Sequence, residues 1–117
     1  MNLKQGHLEN IVLNALWSME ESDKIHIDVS DVQNTINSDS QKWAYTTIKT
    51  VLDRLVEKEE AIRIKIGKKY FYRTKISRGI AGENAIKTLI KQYFNGDMKE
   101  FIEFSAKMAD EAIGVTV

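Results

Sequence analysis

Between residues 48 and 72 the spacing of apolar side chains changes from threes and fours to twos, and this switch constrains the fold of the 117-residue chain more than any other feature. Ile48, Val51, Leu52, Leu55 and Val56 fall at i, i+3, i+4, i+7 and i+8, which predicts a helix with one buried stripe. After Glu59-Glu60, Ile62, Ile64 and Ile66 alternate with Arg63 and Lys65, and Tyr70-Phe71-Tyr72-Arg73 follows across Gly67-Lys68-Lys69. That pattern predicts a β-hairpin with a Gly-containing tip, its three isoleucines packed inward and its cations projecting.

The flanking segments supply helices. Leu8, Ile11, Val12, Ala15, Leu16 and Met19 share one side of a first helix over about residues 6 to 19. Ile25 and Ile27 alternate with polar neighbours as in a short strand. Asp28 then offers a carboxylate to the free amides of a second helix, with Asp31 in its first turn and Val29, Val32 and Ile36 facing inward. Asn37-Ser38-Asp39-Ser40 is turn chemistry and ends it. Beyond the hairpin, Ser77 is placed to cap a helix carrying Ile86, Leu89, Ile90, Tyr93 and Phe94. Asn95-Gly96 stops that helix, and Asp97 with Glu100 opens another that carries Met98, Phe101, Ile102 and Met108. The expected fold is mainly α with a small β-wing. A winged helix-turn-helix domain over residues 1–76 is followed by C-terminal dimerisation helices over residues 77–117.

Charge is segregated along the chain, although 17 basic and 17 acidic residues cancel overall. Residues 1–40 sum to −5, residues 41–78 to +7 and residues 79–117 to −2, from two, eleven and four cations against seven, four and six carboxylates. A basic middle third between acidic flanks is the footprint of a polyanion site, or else a solvated charged face. On the third helix the side opposite the apolar stripe presents Thr46, Thr47, Thr50 and Arg54, with Lys49 at its margin. A Thr-rich outward face behind a short polar turn is what a groove-reading helix needs.

Other chemistry is poorly represented. The chain has no Cys, which excludes disulfides, thiol catalysis, Cys-based zinc sites and iron–sulfur clusters. His7 and His26 are the only nitrogen ligands and read as structural, so no metal and no cofactor are expected. There is no Ser-His-Asp set and no Gly-rich phosphate loop, which argues against an enzyme. No apolar run approaches a membrane span and Met1-Asn2-Leu3-Lys4-Gln5 lacks a signal segment, so the expectation is a cytoplasmic protein without membrane association.

Trp43-Ala44-Tyr45-Thr46-Thr47-Ile48-Lys49-Thr50-Val51-Leu52-Asp53-Arg54-Leu55-Val56-Glu57-Lys58 resembles the recognition helix of the penicillinase repressor family, where an Ala-Tyr-Thr-Thr opening and a Leu-x-Arg-Leu core are characteristic. The wing, Lys68-Lys69-Tyr70-Phe71-Tyr72-Arg73, is similar to the family's. So are Gly96-Asp97-Met98-Lys99 and the first-helix stretch from Leu8 to Trp17, and the resemblance covers nearly the whole chain. It implies a homodimeric bacterial transcriptional repressor on a dyad-symmetric operator. Members released by membrane proteases are cut at an Asn-Phe bond, whereas the comparable pair here is Phe104-Ser105, so that route is not carried over. An upstream sensor or protease is left unassigned. Copper-responsive relatives end in paired Cys motifs, and a chain without Cys has no thiolates for copper.

On this reading the third helix enters the major groove, where Thr46, Thr47 and Thr50 bond bases or place methyls on thymine. Lys49 and Arg54 bond guanine edges or phosphates, although Arg54 also has carboxylates within helical reach. Tyr45 bonds a phosphate or is partly buried. Lys65, Lys68 and Lys69 of the wing neutralise phosphates. Trp17 and Trp43 are packing residues. Dimerisation falls to Ile86, Leu89, Ile90, Tyr93 and Phe94 with Met98, Phe101, Ile102 and Met108, unless both helices fold back to enlarge a monomeric core. The alternative from another class is a winged-helix interaction module whose basic hairpin docks an acidic protein.

Overall fold

The computed structural model describes residues 3–114, with side chains from residue 6 onward. Met1 and Asn2, part of the stretch read for a signal segment, lie outside the described residues, as do Val115, Thr116 and Val117. Five helices and one antiparallel hairpin follow in the order α1 (Leu3–Glu21), α2 (Val29–Ile36), α3 (Tyr45–Glu57), β1 (Ala61–Ile66), β2 (Lys69–Thr74), α4 (Arg78–Tyr93) and α5 (Met98–Ile113). They form two compact units, one ending at Arg78 and the other beginning at Gly79.

The core of the first unit is built from the predicted stripes. Val12 and Leu16 of α1, Val32 of α2, and Ile48, Leu52 and Leu55 of α3 are all fully buried. Helix α1 runs two residues beyond its expected end and stops where Asp23 turns left-handed (φ 64°), which lets the Lys24 N–H return to the Met19 carbonyl at 3.0 Å. Asp28 caps α2 as expected. Its Oδ1 accepts from the Asp31 N–H at 2.9 Å, and the Asp31 carboxylate accepts from the Asp28 N–H at 3.0 Å. Of the expected short strand only Ile27 pairs, accepting from the Tyr72 N–H at 2.8 Å, while Ile25 is 81% exposed.

The hairpin is correctly expected but its inward face is not. Strands β1 and β2 pair from Ala61 with Thr74 to Ile66 with Lys69, closed by a two-residue turn at Gly67-Lys68 in which Gly67 takes φ 64°. Ile64 and Ile66 are exposed and Ile62 is half-buried, so the three isoleucines do not face the core. The buried side instead carries Ala61 and Tyr72. Arg63 stands opposite Tyr72 in the register, and both reach Asp53 of α3, so a polar anchor sets which side of the sheet turns inward.

Two further ties fix the end of the wing to α1. Glu20 accepts from both the backbone N–H and the hydroxyl of Thr74, at 2.8 and 2.5 Å. Trp17 is buried, as a packing residue should be, and its indole N–H donates to the Ile76 carbonyl at 2.9 Å. Arg78 lies 5.2 Å from the Trp17 ring and donates to Asn14 and Glu21.

Helix α4 begins directly after Ser77, its first residue closing the first unit, and gives way in the second to left-handed Asn95 and Gly96 (φ 52° and 78°). Asp97 caps α5 by accepting from the Glu100 N–H at 3.2 Å. Phe94 packs edge-on against Phe101 and tilted against Phe104, with centroids 5.6 and 5.4 Å apart.

Candidate nucleic-acid interface

The α2–α3 turn is braced by side-chain amides. Asn37 Oδ1 accepts from the Trp43 N–H at 2.8 Å, while the Asn37 and Gln33 amides donate to the Trp43 carbonyl at 3.1 and 3.0 Å. Helix α3 then starts at Tyr45 behind Ala44, whose side chain makes no cap, so its first amides stay open to an external acceptor. With Ile48, Val51, Leu52 and Leu55 buried, Tyr45, Thr46, Thr47, Lys49 and Thr50 are left exposed together. The Thr50 hydroxyl donates back to the Thr46 carbonyl at 2.9 Å, which spends its proton and leaves its oxygen able to accept.

Arg54 differs from its expected outward placement. It is half-buried, with a guanidinium nitrogen 3.8 Å from Glu9 Oε2, and Lys58 donates to Glu9 Oε1 at 2.5 Å. Glu9 is a buried carboxylate of α1, at 8% exposure, that sequence reading missed. Its signal was available, since it sits beside Leu8 on the core-facing side of α1 and has two cations to meet, one on α3 and one just past its end.

On the wing, Lys65, Lys68 and Lys69 are exposed. Lys69 stands 3.7 Å from Asp28, whereas Lys42, Lys68 and Arg73 meet no carboxylate among the described residues. Tyr70 lies between two cations, with the Arg63 guanidinium 5.0 Å and the Lys65 ammonium 5.6 Å from its ring centroid. Wing and helix are joined through Asp53. Its Oδ2 accepts from Lys49 at 2.7 Å, and its Oδ1 accepts from Arg63 at 3.0 Å and from the Tyr72 hydroxyl at 2.8 Å.

Burial works to raise the Asp53 pKa, but the hydrogen bonds from Lys49, Tyr72 and Arg63 outweigh it and hold the carboxyl below its ordinary range. Tyr72 is pushed well up, first by burial and then by the adjoining carboxylate, so its phenol keeps the proton it donates. Neither Asp53 nor Tyr72 stands out in the sequence, though Asp53 lies one helical turn after Lys49.

The expected dimerisation residues divide. Ile86, Leu89, Tyr93, Met98, Ile102 and Met108 are at least 40% exposed. Ile90 is buried within the single chain, and Phe94 and Phe101 are half-buried against each other. Phe104, which the sequence reading did not include, is 52% exposed. His26 packs tilted against Phe71, with centroids 5.2 Å apart, and His7 is exposed.

A helix-turn-helix followed by a cationic two-stranded hairpin defines a winged-helix DNA-binding protein. The sequence profile of the penicillinase repressor family matches residues 5–112, and the chain belongs to that family. It is a family of DNA-binding transcriptional repressors and not an enzyme class. Comparison with curated proteins finds no match. No helix among the described residues is long and apolar enough to cross a membrane.

Proposed function

We infer that the protein is a cytoplasmic homodimeric repressor that grips a dyad-symmetric operator with two copies of α3 and two wings. The observation that carries this reading is the exposure of Thr46, Thr47, Lys49 and Thr50 on one side of a helix whose other side is sealed in the core. In the major groove those side chains meet base edges, with Tyr45 and Arg54 at the flanks on phosphate. Lys65, Lys68 and Lys69 neutralise backbone phosphates beside the groove. Residues 1–76 thus serve as the reading head and residues 77–117 as the dimerising part.

Exposed Ile86, Leu89, Tyr93, Met98, Ile102 and Met108 on α4 and α5 support self-association, because side chains of this size gain most from being covered. A two-fold dimer sets its reading helices about 34 Å apart, one turn of B-DNA, so half-sites should be inverted repeats. The test is selection of duplexes from a random library with the purified protein, followed by affinity measurement across a salt series. Inverted repeats bound with a steep salt dependence, in line with roughly six to ten phosphate contacts per dimer, are expected. A folded dimer that enriches no duplex even at low ionic strength sinks the reading and leaves the basic hairpin to an acidic protein partner.

A further inference from the structure

Asp53 is out of place on a surface that meets a polyanion. It lies on α3 one turn from Lys49 and three residues from Thr50, its side chain is 27% exposed, and its charge repels phosphate. A fold that needed only a helix-to-wing tie could use an uncharged acceptor for the Tyr72 hydroxyl. The carboxylate does more than that. One oxygen holds the Lys49 ammonium at 2.7 Å and the other holds Arg63 at 3.0 Å, one cation from the reading helix and one from the wing. Both remain accessible, with side chains 47% and 41% exposed.

We propose that Asp53 is a positioning residue for DNA recognition, which tethers Lys49 and Arg63 at a fixed spacing and thereby raises operator selectivity while lowering affinity for other sequences. The inference rests on the DNA reading above. An untethered lysine or arginine on a flexible stem finds a phosphate on any duplex. A cation held by a carboxylate has part of its field cancelled and meets DNA only where the groove brings an acceptor to its place. Asp53 therefore subtracts from binding to every sequence and subtracts least from the one that fits. Arg63, further held 5.0 Å from the Tyr70 ring, becomes an additional contact residue linking the helix contacts to those of the wing.

The experiment uses the full chain and two probes, the duplex recovered from random-library selection by the wild-type protein and the same duplex with its bases shuffled. Asp53→Asn keeps an acceptor for Tyr72 but releases both cations. It should bind the shuffled duplex about two- to tenfold more tightly, with a salt slope steeper by roughly one to two per dimer, while binding to the selected duplex changes little, so that the preference falls by nearly the same factor. Tyr72→Phe breaks one of the two helix-to-wing bonds and leaves both cations tethered, so it should unfold more easily yet keep the wild-type preference. Arg63→Gln, which leaves Asp53 intact, should weaken binding to the selected duplex more than to the shuffled one. An unchanged preference in Asp53→Asn, equal losses on both probes in Arg63→Gln, or a preference lost in Tyr72→Phe as fully as in Asp53→Asn would each overturn the proposal. If the wild-type protein itself shows no preference, the DNA reading fails first and this inference goes with it.

Discussion

The hydroxyl of Tyr72 donates to Asp53 Oδ1 across 2.8 Å, so that the second strand of the wing hangs from α3 by a buried phenol. The bond pairs a tyrosine that holds its proton more firmly than usual with a carboxyl that gives its proton up more readily than usual, and each shift follows in part from the other group. The two shifts have consequences at opposite ends of the pH scale.

A carboxyl whose pKa is lower in the fold than in the unfolded chain adds stability above the unfolded value, here 3.8, and loses it as pH falls through the folded value. Asp53→Asn should therefore be less stable than wild type at neutral pH, by about 1 to 2 kcal/mol, with the gap closing as acid protonates Asp53. Urea midpoints of both proteins at about pH 7 and about pH 3 measure it. A gap of equal size at both values would show that the Asp53 charge does not support the fold. On the alkaline side the sign is opposite, because a raised tyrosine pKa keeps its contribution below the unfolded value of 10.0 and loses it as pH rises through the folded one.

Glu9 places a carboxylate in the first unit's core against two cations of α3 or its end, Lys58 and Arg54. Glu9→Gln preserves shape and removes the charge they share. Because both cations stay partly exposed, the expected loss is about 1 to 3 kcal/mol, short of the cost of a wholly buried pair. Exposed Glu111→Gln should shift stability by less than about 0.5 kcal/mol. Denaturant midpoints decide, and equal effects from the two changes would refute the role given to Glu9.

Glu59 follows α3 in a left-handed conformation, φ 62°, that costs an L-residue energy and a glycine nothing. The turn needs that conformation, since Glu60 N–H returns to the Leu55 carbonyl at 2.9 Å. Its ion pair with Lys75 is at the surface, with the glutamate side chain 77% exposed, and offsets little. Glu59→Gly should raise stability by about 0.5 kcal/mol, seen as a higher unfolding temperature. A lower one would mean that the Lys75 pair outweighs backbone strain.

Ile102 is 56% exposed on α5. On the proposed self-association through α4 and α5, wild type should sediment as a dimer and Ile102→Asp as a monomer, with helical content kept. Operator affinity should drop at least about 100-fold, because the second half-site no longer binds as part of one molecule. A variant that remains dimeric would place the self-association surface elsewhere.

The helices were legible because each carries its own punctuation. The stripe from Ile48 to Val56, the Asp28 and Asp31 pair, and Asn95-Gly96 before Asp97 all gave their elements from residues a few positions apart. The wing was half legible. Alternation showed that β1 was a strand, but both faces of the hairpin offered apolar groups, Ile62, Ile64 and Ile66 on one and Ala61, Tyr70 and Tyr72 on the other. The choice between them rests on Asp53, whose partners on the wing are 10 and 19 residues away and carry no local mark. For the site, exposure of the threonines followed from periodicity. The half-buried state of Arg54 did not, because it depends on Glu9, 45 positions earlier in the chain.

The brace around Trp43 uses Gln33 and Asn37, neutral amides with nothing to titrate. The corner between α2 and α3 thus owes its shape to groups indifferent to acid and to added electrolyte, while the wing is fastened by groups sensitive to both. Acidification should consequently slacken the tie between hairpin and α3 before it disturbs the amide brace at the corner, so that the two joints of one unit answer differently to the same change of solvent.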